Sequence, residues 1–159
     1  VLGLYDRQGR LLVENDDAGG NISSQIMVMI KEKGPCRLQV SSLGNGGGGK
    51  FVLSVQEKKI AEIKADERAT GELGESGWDY WSFIGKQGES VILNVRSQEV
   101  DPYVEIYAPS GIMVGRDDNS GVENDCLMAV KLPETGQYIL CVQSQKGRGK
   151  YVIRVIPAD

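Results

Sequence analysis

The chain repeats itself at a spacing of 102 residues, and this repeat limits its architecture more than any other feature. "DRQGRLLVENDDAGG", residues 6–20, returns in outline as "APSGIMVGRDDNSG", residues 108–121. With the offset held at 102, Tyr5/Tyr107, Gly9/Gly111, Asp16/Asp118, Gly19/Gly121, Val28/Val130, Glu32/Glu134, Gly34/Gly136, Leu38/Leu140, Val40/Val142 and Ser42/Ser144 are identical, with no gap across 1–44. The register then slips by two between "LGNGGGGK" and "QKGRGK" and resumes at Lys50/Lys150, Phe51/Tyr151, Val52/Val152 and Val55/Val155. Slippage in a loop with agreement on either side is how duplicated modules diverge, because loops tolerate changes of length.

The second copy carries more chain than the first. "WDYWSFIGKQGESVILNVRS", residues 78–97, has no counterpart ahead of Val1. The expected organisation is the C-terminal part of a module over 1–55, a charged linker over 56–69 and a complete module over 70–159. The chain does not begin with Met and opens in what reads as mid-strand, so a fragment or a processed chain is expected. The linker region, "QEKKIAEIKADERAT", has no glycine or proline and is the one stretch with a helical composition. Residues 1–55 alone would leave apolar faces and an unpaired strand edge. Strands from upstream, from another chain or from the neighbouring module are expected to complete them.

Alternation of apolar and polar residues sets the fold class. Trp81 and Phe83 alternate with Tyr80 and Ser82, Val91, Leu93 and Val95 with Ile92 and Asn94, and Val104 and Ile106 with Glu105. Met128, Val130 and Leu132 alternate with Ala129 and Lys131, Tyr138, Leu140 and Val142 with Ile139 and Cys141, and Tyr151, Ile153 and Val155 with Val152 and Arg154. Short period-two runs separated by "GKQGE", "APSG" and "PETG" predict an all-β chain, an antiparallel, jelly-roll-like β-sandwich.

Composition narrows the function. There is no histidine, so the commonest general base and metal ligand is missing. Net charge is -4, which disfavours nucleic acid as a partner. No apolar run approaches the ~20 residues of a membrane-spanning helix, and no membrane partner is expected. "GNGGGGK", residues 44–50, lacks the order of a phosphate-binding loop and precedes a strand pattern, so it reads as a flexible hairpin loop. The chain offers no G-x-S-x-G and no metal-ligand spacing, and it is read as non-enzymatic, without a catalytic residue.

The ordered set "DYWSF…GKQGESVILNV…DPYVEIYAPSGIMVGRDD…LPETGQYILCVQS…GKYVIRV" resembles the bacterial pre-peptidase C-terminal domain. The residues that carry the resemblance are Asp79, Trp81, Phe83, Gly88, Asp101, Pro109, Gly111, Asp117, Asp118, Pro133, Gly136, Tyr138, Gly149 and Tyr151. The first copy departs from the pattern where Lys31 replaces Pro133, Cys36 replaces Tyr138 and Asp6 lacks a following proline. The resemblance implies a jelly-roll-like sandwich of eight or nine strands that is not itself catalytic and is appended to secreted hydrolases, proteases above all. It also implies a role as an accessory or binding module of a larger protein, contacting protein, extracellular matrix or substrate. The alternative is a structural interaction module within a multi-protein assembly.

Two candidate sites follow. Asp117, Asp118, Asn119, Glu123, Asn124 and Asp125 place oxygen-bearing side chains in one loop, a donor set suited to calcium, a hard cation taking 6–8 oxygens. Turn chemistry explains the same residues, because Asp, Asn, Ser and Gly favour turns through local hydrogen bonds. The earlier loop "ENDDAGGN", residues 14–21, is expected to bind more weakly or not at all. Trp78 and Tyr80 lie on the parity opposite Trp81 and form either an exposed contact surface or a cover over a strand edge. Cys36, in the place of Tyr138, is expected to be a buried small apolar residue. Cys126 and Cys141 are expected on opposite faces, which disfavours a disulfide between them. An extracellular or periplasmic location follows from the resemblance, and three unpaired thiols leave the cytoplasm open.

Overall fold

In the computed structural model, residues 1–159 are described except 17–22, 31–32, 45–46, 76 and 159. The described residues form no helix. The strands are β1 (Leu2–Tyr5), β2 (Leu11–Asn15), β3 (Arg37–Val40), β4 (Ala61–Glu62), β5 (Arg68–Leu73), β6 (Trp78–Gly85), β7 (Ser90–Arg96), β8 (Asp101–Tyr107), β9 (Met113–Asp117), β10 (Cys126–Lys131), β11 (Gly136–Lys146) and β12 (Gly149–Ala158). The chain divides into two compact units. One is Val1–Glu57 with Ser110–Ile112, and the other is Lys58–Pro109 with Met113–Asp159.

The larger unit is a β-sandwich of a four-stranded sheet, β10-β7-β12-β5, and a five-stranded sheet, β4-β6-β11-β8-β9. Its core is filled by the residues that the alternation marks as inward. Trp81 and Phe83 come from β6, Val91, Leu93 and Val95 from β7, and Val104 and Ile106 from β8. Cys126 and Val130 come from β10, Tyr138, Leu140 and Val142 from β11, and Tyr151, Ile153 and Val155 from β12. Each such apolar side chain contributes about 1.5–3 kcal/mol on full burial. Alternation therefore fixes strand register, since a slip of one residue would turn a whole set to the other face.

One pairing departs from the antiparallel expectation. β4 runs parallel to β6, with Ala61 opposite Trp81 and Glu62 opposite Ser82. This also corrects the reading of 56–70 as helical. Ile63 is buried in the core and its amide donates to the Ser82 carbonyl at 2.9 Å. The chain then turns through Asp66, at φ +62°, whose amide donates to the Val155 carbonyl at 2.8 Å. A helix cannot pass through a left-handed aspartate. The core burial of Ile63 outweighs the local helical composition.

The smaller unit holds a three-stranded sheet, β2-β1-β3. Adding 102 to its residue numbers gives the pairing of β9-β8-β11. Leu2↔Asn15, Gly3↔Glu14, Leu4↔Val13 and Tyr5↔Leu11 become Val104↔Asp117, Glu105↔Arg116, Ile106↔Gly115 and Tyr107↔Met113. The irregularity between Leu4 and Tyr5 recurs between Ile106 and Tyr107. On the other side Leu2↔Val40 and Leu4↔Leu38 become Val104↔Val142 and Ile106↔Leu140. The turn glycines agree as well. Gly9 and Gly111 take φ +80° and +84°, where a side chain would be strained. A polar contact recurs too: Ser24 Oγ donates to the Asp16 carbonyl at 2.8 Å, and Cys126 Sγ lies 3.6 Å from the Asp118 carbonyl.

The agreement stops outside those three strands. Residues 23–30 and 47–57 carry no strand, although the offset aligns them with β10 and β12. Cys36 is exposed, contrary to expectation. Tyr138, its counterpart, is held by a ring contact with Phe83 at 5.2 Å and by its hydroxyl donating to the Glu134 carbonyl at 2.8 Å. The described residues of the smaller unit include no counterpart of β6 to supply such a partner. The pairs Gly19/Gly121 and Glu32/Glu134, and most of the 14–21 loop, fall outside the described residues.

Candidate functional site

The acidic turn lies between the end of β9 at Asp117 and the start of β10 at Cys126. It closes on itself. The Gly121 amide donates to the Asp125 carbonyl at 2.8 Å, the Asp125 amide donates to the Val122 carbonyl at 3.1 Å, and Glu123 takes φ +58°. Both oxygens of Asp117 are engaged: Oδ1 accepts from Ser120 Oγ at 2.5 Å and Oδ2 from the Leu127 amide at 2.7 Å. Asp125 Oδ1 accepts from the Ser97 amide at 3.4 Å, and its Oδ2 lies 3.2 Å from Arg96 Nε. Asp118, Asn119, Glu123 and Asn124 stand exposed. Among the described residues no group of three or more Asp, Glu or Cys is placed to hold a metal ion.

An open hollow of about 520 Å³ adjoins the turn, lined in part by Ser97, Glu99, Asp101, Glu123, Asn124 and Lys146. Its frame is rigid. Ser97 Oγ donates to the Lys150 carbonyl at 2.6 Å and accepts from the amides of Glu99 and Val100 at 3.0 Å each, and Glu99 Oε2 accepts from the Lys150 amide at 2.8 Å. Asp101 Oδ1 is buried here without a hydrogen-bond partner. A buried carboxylate oxygen left unpaired is costly, and a cationic or hydrogen-donating group would relieve it.

The aromatic pair keeps the face its parity assigns, opposite Trp81, but that face is covered at Tyr80. Trp78 is half-buried and stacks on Tyr80, with centroids 6.3 Å apart and rings 7° from parallel. Tyr80 is buried rather than exposed, and Lys58 Nζ lies 5.6 Å from its ring centroid. Burial, then the nearby Cys141 and Glu105, pushes its phenol up to about 12. The Tyr80 ring is therefore covered on the strand, in keeping with the reading of the pair as a cover. Trp81 is in the core, as its parity with Phe83 predicts. Its Nε1 donates to Tyr151 Oη at 2.7 Å, and Tyr151 in turn donates to Asp79 Oδ2 at 2.5 Å. This chain of bonds joins β6 of one sheet to β12 of the other.

The sequence reading missed a second buried polar group. Glu105 is buried and accepts from Tyr103 Oη at 2.9 Å and Tyr107 Oη at 2.8 Å. The signal was present in "DPYVEIY", where the period of two puts Tyr103, Glu105 and Tyr107 on one face of β8. Burial and then the hydrogen bond to Glu105 raise both phenols, that of Tyr103 to about 12.

The thiols are all unpaired, and Cys126 and Cys141 are buried. Burial, followed by the charges of Asp117 and Asp118, pushes Cys126 up to about 12. Burial and then Glu105 push Cys141 up as well. A thiol is a nucleophile only as thiolate, so neither is poised for attack at neutral pH.

No family profile matches this sequence, and no curated protein is similar enough in sequence to count as a relative. Solved structures are similar in fold. The crystal structure of the pre-peptidase C-terminal domain of a collagenase from Bacillus anthracis has a TM-score of 0.53 at 16% identity, covering 64% of this chain and 99% of that one. Periplasmic inhibitors of g-type lysozyme are also similar. Those of Aeromonas hydrophila and Salmonella Typhimurium have TM-scores of 0.41 and 0.43, identities of 15% and 17%, and cover 61% and 64% of this chain. The chain thus contains the all-β fold of a pre-peptidase C-terminal domain.

Proposed function

We propose that this protein is a non-catalytic accessory module that makes protein or matrix contacts for a larger protein acting outside the cytoplasm. The observation that carries the reading is the likeness of fold along 99% of a domain that belongs to a collagenase. The chemistry of the described residues supports it. The two buried thiols are held protonated, and the buried carboxylate Glu105 is occupied by two tyrosine hydroxyls. Two of the three free thiols, Cys126 and Cys141, are withdrawn from solvent and so protected from oxidation, while Cys36 is exposed. Contact with a partner would centre on the hollow beside the acidic turn, where the exposed carboxylates of Glu99 and Glu123 suit a basic side chain.

The test is cosedimentation of the purified chain with fibrillar collagen and with gelatin, beside a Glu123→Gln variant. Retention that weakens in the variant supports the reading. Loss of all retention on protein matrices, or turnover of a peptide substrate by the chain alone, overturns it. The second reading, a structural interaction module within an assembly, is favoured by one observation: Phe51, Val52 and Val55 are 66%, 97% and 75% exposed in a single short stretch.

A further inference from the structure

The outer face of the four-stranded sheet breaks a pairing rule at its middle. Arg154 of β12 lies directly opposite Arg68 of β5, and both side chains are exposed. Like charges in that position destabilise a sheet. The compensation inside the fold is slight. Arg154 Nη2 reaches Asp66 Oδ1 at 3.4 Å, an ion pair exposed on both sides and so worth little. Arg68 has no ion pair among the described residues. Two more cations extend the pair. Arg96 of β7 is opposite Val152, one step along β12, and Lys150 lies one step beyond that. Outward positions on one strand recur about every 6.8 Å, and neighbouring strands stand about 4.8 Å apart. Arg68, Arg154, Arg96 and Lys150 therefore share a strip about 14 Å long across β5, β12 and β7. In a chain of net charge -4 this is a local excess of positive charge. A local conflict kept without compensation in the fold marks a functional surface.

The order of groups on the face selects the ligand. A protein interface has an apolar centre depleted of charge and a polar rim. Here charge occupies the central strands, while the exposed Leu127 and Ala129 lie out on the edge strand β10. Carboxylates stand around the strip. Asp66 and Glu72 are on the β5 side, and Asp125 is on the β10 side, its Oδ2 3.2 Å from Arg96 Nε. A broad anionic surface such as a bilayer would press against those carboxylates, and a narrow chain lying along the strip avoids them. The outward positions of the four strands hold no aromatic side chain on which bases could stack, which sets single-stranded nucleic acid aside. Each guanidinium has five N–H donors in a fork that grips oxyanions two atoms at a time, and one ion pair leaves most of them free.

We infer that this strip binds a single chain of a sulfated polysaccharide, with Arg68 and Arg154 gripping one sulfate between them and Arg96 and Lys150 meeting the groups that follow. This goes beyond the contacts proposed for the hollow and rests on a different surface, so each reading stands or fails alone.

Affinity for heparin, titrated over a range of salt, tests this. The 159-residue chain is expected to bind at physiological ionic strength, with log K falling linearly with log salt. Arg68→Gln together with Arg154→Gln is expected to weaken binding by at least about tenfold and to lower that slope by about 1 for each charge removed. Lys131→Gln removes a charge from the same face, at the far end of β10, and is expected to change neither. Absence of binding, no loss in the double variant or an equal loss in Lys131→Gln overturns the proposal. So does binding of poly-L-glutamate, of oligothymidylate or of phosphatidylserine vesicles as tight as that of heparin at matched charge. The melting temperature without ligand keeps the test independent of variant folding. Arg68→Gln alone is expected to hold or raise it, because the opposed pair is relieved. A fall would assign the pair a structural role and sink the idea.

Discussion

Tyr151 donates its hydroxyl hydrogen to Asp79 at 2.5 Å across 72 residues of sequence, and the same oxygen accepts from Trp81 at 2.7 Å. One phenol thus satisfies an acceptor and a donor that would otherwise be buried between the sheets. Tyr151→Phe keeps the ring and removes both bonds. It is expected to lower stability by about 1–3 kcal/mol, the usual cost of stranding buried polar groups. Urea unfolding with an unchanged slope is the measurement. A midpoint equal to that of the parent would show that water replaces the hydroxyl.

Gly71 is the other half of that arrangement. A Cβ on Gly71 would sit 2.2 Å from Tyr151 Cζ, so the ring must shift and its bonds must break. Gly71→Ala is expected to cost on the order of 1–3 kcal/mol. In Tyr151→Phe the same substitution is expected to cost less, because the bonds are already gone. Non-additivity in this double-mutant cycle is the readout.

The acidic turn is already closed by its own hydrogen bonds, with Asp117 holding both Ser120 and the Leu127 amide. Asp117→Ala is therefore expected to lower the melting temperature by an amount equivalent to about 1–2 kcal/mol, equally in millimolar calcium and in chelator. A stabilisation by calcium that disappears in Asp117→Ala would instead make the turn a cation site.

Alkali should unfold the larger unit before it damages the chain. Burial and neighbouring carboxylates raise the Cys126 thiol from 9.0 to about 12. The folded state therefore binds the proton more tightly than the unfolded state. The stabilisation is complete below pH 9 and is lost as pH rises towards 12. Tyr80 and Tyr103, raised from 10.0 to about 12, add to the same slope. Melting temperature should fall steadily over that window, and Cys126→Ser should flatten part of the fall.

Alkylation under native conditions at pH 8 should mark Cys36 alone, because Cys126 and Cys141 are buried. Mass spectrometry of the intact chain would show one adduct, rising to three in denaturant. Native labelling of Cys126 would mean that the turn opens on the timescale of the reaction.

The strands of the larger unit were legible because each buries one face of a period-two pattern, and Val91, Leu93 and Val95 sit in the core as written. The short parallel strand at Ala61 was not legible. Two residues carry no periodicity, and the burial of Ile63 is a tertiary event that local composition opposes. Tyr80 escaped for a related reason: parity tells which face a side chain takes, not whether that face is covered. The same limit applied to Glu105, whose two tyrosine partners were visible in the sequence while its burial was not. For Cys36 the expectation rested on its alignment with Tyr138, but burial depended on a partner like Phe83, which the described residues of the smaller unit do not provide.

β11 is an eleven-residue strand whose residues from Tyr138 to Val142 are buried on both faces. "YILCV" contains no charge, no proline and no glycine, and such a segment is an aggregation nucleus whenever it is uncovered. Its first-unit counterpart "CRLQV" is interrupted by Arg37 and Gln39, which act as gatekeepers on a strand with an open edge. The two strands thus guard against the same hazard in different ways, one by enclosure and the other by charge and polarity. During synthesis β11 emerges only after β6 and β8, the strands that flank it, so its unprotected lifetime on the nascent chain is short. Removing either neighbour by truncation should turn a soluble module into one that precipitates.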